Sequence, residues 1–362
     1  LDCRLAMGIG KHRLLKANWR WLSLCCLLFP SLLPELPACQ KAVDSRREAS
    51  TAPSASTGAA PSASMSASSR NLQLLPMDAT FLLISDTHVG AEISYRGRNT
   101  AVSAVHRTVI RRMNSLAGRN YPIALGGKVD PPKGLLVAGD LTDSGTEWQW
   151  KHFVGLYGFK GHDGLLNYPV YENVGNHDYA NGTLVETQVI DRHGAKRYSW
   201  DWGALHVVSL ADAPDDDGMD WLEHDLKATQ EGTSIVVFLH YPLLGPWSET
   251  NWFGKGNYRK RLYRVLESYA VAGIFHGHYH ASGHYNCGKF EVFNSGSVKD
   301  SNSSFLVVRV TNEQLSVAAW NYEYDRWWWW WRKSRTRDVE AQVFGQDQRR
   351  GEARAEFPYP VD

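Results

Sequence analysis

Val170-Tyr171-Glu172-Asn173-Val174-Gly175-Asn176-His177-Asp178 is a run of strand-forming residues that stops in a glycine and three side chains able to hold a metal or a proton. Short apolar runs closed by a turn residue read as buried strands. Four more stretches repeat the pattern. Phe81-Leu82-Leu83-Ile84 gives way to Ser85-Asp86-Thr87-His88, and Leu135-Leu136-Val137-Ala138 to Gly139-Asp140-Leu141-Thr142-Asp143. Ile235 to Leu239 ends at His240, and Val271 to Phe275 runs into His276-Gly277-His278-Tyr279-His280. Helical patterns at Ala101 to Leu116, Met219 to Ala228 and Tyr258 to Tyr269 separate several of these strands. Alternation of this kind predicts an α/β domain. Arg197 to Leu210 reads as a hairpin turning at Gly203, and the runs at Phe290, Phe305 and Leu315 read as antiparallel strands.

Open α/β sheets gather ligands beyond the carboxyl ends of their strands. Five strand ends would thus deliver Asp, Asn and His side chains to one edge. Taken singly, each has a mundane explanation: a Gly-Asp pair is usually a turn, and His240 before Pro242 suits a satisfied buried imidazole. Five in order, each behind an apolar strand, are not explained that way.

The same motifs resemble the calcineurin-like metallophosphoesterase superfamily over roughly Met77 to Trp320. The resemblance implies a four-layer sandwich, two mixed β-sheets flanked by α-helices. It also implies one metal ion held by Asp86, His88, Asp140 and His280, and a second held by Asp140, Asn176, His240 and His278, with Asp140 bridging. Imidazoles and hard oxygens without thiolate suit Mn, Fe or Zn. Two such ions would attract an anionic phosphate ester and lower the pKa of a shared water, so that a bridging hydroxide attacks phosphorus. The resemblance assigns His177 to the phosphate, as a charge stabiliser or proton donor. Asp178 is expected to orient that imidazole, and Asp143 to hold His88. His276, and His284 nearby, are weaker candidates for substrate contact. Trp247 and Trp252, on a Gly-flanked loop after His240, are further candidates for stacking on a base or sugar.

Purple acid phosphatases carry Tyr at the position of Asp143, and protein Ser/Thr phosphatases carry Arg at Ser144. The large 5′-nucleotidases have a second domain, for which little chain follows. The cyclic nucleotide phosphodiesterase-like branch and exported phosphoesterases fit best, and the motifs leave monoester and diester substrates open. Two alternatives accompany this reading: a lipid-directed, sphingomyelinase-like phosphodiesterase, and an inactive scaffold of the same fold.

Composition is that of a globular protein: 362 residues, 43% hydrophobic and 21% charged. A net charge of +1 gives no reason to expect nucleic-acid binding. Lys11, Arg13, Lys16 and Arg20 precede the apolar run Trp21 to Phe29, which reads as an export signal. Leu36-Pro37-Ala38-Cys39 resembles a lipobox, so residues 1–38 are read as a leader and Cys39 as a lipid-bearing residue that would anchor the protein facing the periplasm or cell exterior; the alternative is an ordinary cleaved secretory signal and a secreted protein. Residues 39–76, rich in Ser, Ala and Pro, read as a disordered tether; 77–332 as the phosphoesterase domain; and 333–362 as a polar tail. Trp327 to Trp331 is an unbroken run. Five adjacent indoles are expected to leave several exposed, which suits contact with a membrane or a partner.

Overall fold

The computed structural model describes residues 76–95, 98–243, 256–299, 304–335 and 340–341. The leader, Cys39 and the tether lie outside these residues, as do Trp247 and Trp252. In chain order the strands are β1 (Asp78–Ile84), β2 (Glu92–Tyr95), β3 (Arg98–Ala101), β4 (Leu135–Ala138), β5 (Val170–Asn173), β6 (Tyr198–Trp202), β7 (Leu205–Ser209) and β8 (Ser234–Phe238). They continue with β9 (Ala270–His276), β10 (Ser282–Cys287), β11 (Phe290–Ser295), β12 (Ser304–Thr311), β13 (Gln314–Asn321), β14 (Arg326–Ser334) and β15 (Glu340–Ala341). The helices are α1 (Val102–Asn114), α2 (Glu147–Tyr157), α3 (Leu184–His193), α4 (Asp216–Ala228) and α5 (Gly256–Leu266).

Two mixed sheets carry the fold. One has seven strands in the order β15-β14-β13-β12-β1-β4-β5, with β1, β4 and β5 parallel and the rest antiparallel. The other has six, β10-β11-β9-β8-β7-β6, with β7, β8, β9 and β11 parallel. Strand β1 shows why they stack. Its side chains alternate between two faces and both are apolar. Phe81 and Leu83 face the core between the sheets, where they meet Val236, Phe238 and Phe275. Leu82 and Ile84 face a second core with Val105 and Val109 of α1 and Phe153 of α2. A third core lies on the far side of the six-stranded sheet, under α4 and α5, with Leu222, Leu226 and Leu262. The result is helix, sheet, sheet, helix.

The tryptophan run departs from expectation. None of the five is exposed: Trp329 and Trp331 are buried, and Trp327, Trp328 and Trp330 are half-buried. A bulge explains how. Ala319 pairs with Trp329 and Trp320 with Trp327, so Trp328 is an extra residue and the alternation changes phase there. Trp329 and Trp331 therefore enter the inter-sheet core, where the Trp329 indole donates to Ser282 Oγ at 3.1 Å. Trp327 instead stacks on Tyr121 and donates to the Asn120 carbonyl. The polar tail also begins later than residue 333. Strand β14 runs to Ser334, and Arg335 binds the Thr311 carbonyl at 3.0 Å.

His206 of β7 clamps this sheet to its helix. Its Nδ1 meets Asp201 at 2.7 Å and its Nε2 meets Asp225 of α4 at 2.9 Å. Burial opposes the charged imidazole, but hydrogen bonds and charge from Asp225 and Asp201 outweigh it and raise the pKa above the ordinary 6.5. A folded-state value above the unfolded one contributes stability that is complete below about 6.5 and lost as pH rises through the folded value. Urea unfolding should show stability falling above that pH in the wild type. In His206→Gln that fall should be smaller.

Candidate metal centre

Both sheets end at one place. Strands β1, β4 and β5 lead into Asp86 and His88, Asp140, and Asn176, while β8 and β9 lead into His240 and into His278 and His280. Ligand atoms of Asp86, His88, Asp140 and His280 lie within 4.8 Å of one another, as do those of Asp140, His240 and His278. Asn176 joins the second group, its Oδ1 3.1 Å from His240 Nε2.

The backbone is bent to achieve this. Seven non-glycine residues among those described have positive φ, and five are Asp86, His88, Asp140, His278 and His280. Such conformations cost about 1–3 kcal/mol each and persist where the surroundings impose them. Gly139 precedes Asp140 at φ +81°, and a Cβ there would stand 2.5 Å from His240 Nδ1. A Cβ on Gly175 would collide with the Asp140 carboxylate. The glycines of the two motifs are thus demanded by close packing around the carboxylate.

Each carboxylate has one oxygen tied down and one aimed inward. Asp86 Oδ2 accepts from Ser85 Oγ and from the His278 backbone N–H, and Asp140 Oδ1 accepts from the His177 N–H at 2.8 Å. Asp86 Oδ1 and Asp140 Oδ2 are buried without a hydrogen bond, although imidazole nitrogens stand 3.1 to 3.5 Å away. Burial works against both carboxylates, yet the surrounding imidazoles hold them below the usual range. His240 Nδ1 donates to the Ala138 carbonyl at 2.9 Å, which leaves Nε2 of the neutral ring as an acceptor. That nitrogen faces two oxygen acceptors, Asn176 Oδ1 and Asp140 Oδ2, and the His278 Nδ1 atom at 3.0 Å. His88 Nε2 and His280 Nε2 converge similarly at 3.2 Å. Imidazole nitrogens and carboxylate oxygens converge here, and this donor set fits divalent metal ions. In the protein alone, Asp140 outweighs burial and raises His240 to about 9, so a metal ion bound at its Nε2 would displace a proton, while burial and His240 depress His278 to about 3.

Around this core stand the other candidates. Asp143 approaches His88 Nδ1 at 3.3 Å and Lys299 Nζ at 3.1 Å. His177 Nδ1 donates to the Asp143 backbone carbonyl at 2.7 Å, and its ring stands edge-on to His88. Asp178 does not orient His177. It is wholly buried, and accepts from the backbone N–H groups of Leu141, Thr142 and Gly175 and from the Thr142 hydroxyl. Burial and the neighbouring Asp140 push it up to about 6, against those donors. Its work is to lock the loops after β4 and β5 together. His276, a candidate for substrate contact, has both ring nitrogens engaged within the protein. It is buried, with Nδ1 on the Gly277 carbonyl and Nε2 on the Tyr285 hydroxyl. His284 is likewise buried, paired with Glu291 at 2.6 Å.

A cavity of about 470 Å³ opens on the centre, lined by Asp140, Asn176, His177, His278, His280 and Tyr241. Tyr241 was not among the sequence candidates. It follows His240 directly, a position with no sequence pattern of its own.

Residues 79–282, more than half of the chain, match the calcineurin-like phosphoesterase family, and the chain belongs to that family. Among solved structures it is similar to a predicted phosphoesterase from Streptococcus pneumoniae, at 12% identity and TM-score 0.37, over 72% of this chain and 99% of that one. It is also similar to Vps29 complexed with zinc from Entamoeba histolytica, at 14% identity and TM-score 0.36, over 70% and 98%. A putative 5′-nucleotidase from Staphylococcus aureus matches at 13% identity and TM-score 0.38, over 69% and 52%. Comparison with curated protein sequences finds no match.

Proposed function

We propose that this protein is a phosphoesterase that hydrolyses a phosphate monoester or diester with a pair of divalent metal ions. The observation that carries this reading is a pair of buried acceptors: Asp86 Oδ1 and Asp140 Oδ2 lie without hydrogen bonds, with the Nε2 atoms of three imidazoles, His88, His240 and His280, turned toward them. Asp86, His88, Asp140 and His280 would hold one ion and Asp140, Asn176, His240 and His278 the other. When bound, the pair supplies a water activated near neutral pH and neutralises charge on the phosphoryl group.

The remaining residues orient and protonate. The Ala138 carbonyl fixes the His240 tautomer and Asp143 that of His88, so each presents Nε2 inward. The Asp143 carbonyl accepts a hydrogen bond from His177 Nδ1–H, which leaves Nε2 for the cavity. From there a protonated imidazole donates to a phosphoryl oxygen or to the leaving alkoxide.

The full chain, loaded with Mn²⁺, is the material for the test. Hydrolysis of nitrophenyl phosphate or bis(nitrophenyl) phosphate that is abolished by chelation and restored by metal is the expected outcome. Turnover unaffected by exhaustive chelation would refute the reading.

A further inference from the structure

We propose that Tyr241 is a substrate-contacting residue, whose phenol donates a hydrogen bond to a phosphoryl oxygen in the cavity it lines with His177; this rests on the phosphoesterase reading above. The argument is one of placement. Tyr241 follows His240 directly and is anchored by its backbone N–H, which donates to the Asp212 carbonyl at 2.9 Å. Its ring stands edge-on to His278, with centroids 4.8 Å apart at 84°, and 5.3 Å from His240. It lines the same cavity as Asp140, Asn176, His177, His278 and His280.

The two groups stand against different ligand imidazoles. His177 abuts His88, and Tyr241 abuts His278. A buried or half-buried phenol ordinarily finds a hydrogen-bond partner. Tyr157, Tyr179, Tyr198 and Tyr285 do so, with His106, Glu186, the Glu172 carbonyl and His276 respectively, while Tyr121, away from the cavity, does not. Tyr241 has no such partner among the described residues, and it lines the cavity. An anionic phosphoryl oxygen is the acceptor that would complete it, with a charge-assisted bond. Tyr241 makes and breaks no covalent bond in this role and keeps its proton. Because the non-bridging oxygens are common to monoesters and diesters, it should serve both.

Tyr241→Phe keeps the ring against His278 and removes only the hydroxyl. In the Mn²⁺-loaded full chain, kcat/KM for nitrophenyl phosphate should fall about 10- to 100-fold, the worth of one hydrogen bond to a charged group. The Kd of inorganic phosphate, measured by calorimetry, should weaken in the same direction, while metal content stays at the wild-type level. Wild-type values of both kcat/KM and phosphate affinity in the variant would overturn the assignment and leave the phosphoesterase reading standing. Loss of metal from the variant would overturn it too, since the phenol would then be supporting the ligands. A wild-type chain that neither cleaves the ester nor binds phosphate would end both.

Discussion

Replacement of Asp140 by asparagine should reduce phosphoesterase activity by at least about 10³-fold, some 4 kcal/mol of barrier, and should empty the centre of metal. Asp140 is the carboxylate that both ligand groups share. Its Oδ2 is the atom on which His88 Nε2 and His240 Nε2 converge, at 3.5 and 3.4 Å. Asparagine can keep the bond from the His177 N–H to Oδ1, so the fold should survive. It cannot supply the negative charge that would offset the proposed cations, nor a second anionic oxygen to join them. Metal analysis of the purified variant, alongside its thermal melt, separates loss of ions from loss of structure. Retention of both ions with full activity would contradict the bridging role.

His177→Ala should behave in the opposite way, keeping metal while losing rate. Only the backbone N–H of His177 touches Asp140, and alanine retains that group. The imidazole contributes through Nε2, and general acid catalysis of this kind is worth about 10²–10⁴-fold. The loss should be steep for alkyl phosphates, whose leaving alkoxide needs a proton. It should be shallower for nitrophenyl esters, whose leaving group does not. A variant that lost metal, or one equally slow with both ester types, would remove His177 from that role.

Much of this site could be read along the chain because each of its residues lies just past a short apolar strand. Asp86, Asp140 and Asn176 follow β1, β4 and β5, and His240 and His278 follow β8 and β9. What periodicity does not carry is pairing. Nothing in Phe81 to Ile84 or Ile235 to Phe238 says that the first strand joins one sheet and the second another, because a strand apolar on both faces suits either. The centre therefore lies where two sheets meet, and the edge of a single sheet is too simple a picture.

The departures from expectation share a cause. Asp178 beside His177, and His276 beside His278, look like functional neighbours in sequence. Yet Asp178 turns away into the donors of Leu141, Thr142 and Gly175, and His276 into Tyr285. The tryptophan run suggested exposure because five consecutive residues cannot share a face of a regular strand. A bulge at Trp328 broke that regularity and let both sides of β14 find a core. Tyr241 was hidden by the opposite effect: a tyrosine after a candidate ligand carries no pattern of its own, and only the cavity distinguishes it.

The central claim is that these side chains hold two cations about an oxygen of Asp140. Anomalous diffraction from Mn²⁺-loaded crystals tests it most directly. Two peaks about 3.5–4 Å apart are expected, one among Asp86, His88, Asp140 and His280 and the other among Asp140, Asn176, His240 and His278. A map with no peak at Asp140, under Mn²⁺ concentrations that support turnover, would contradict it.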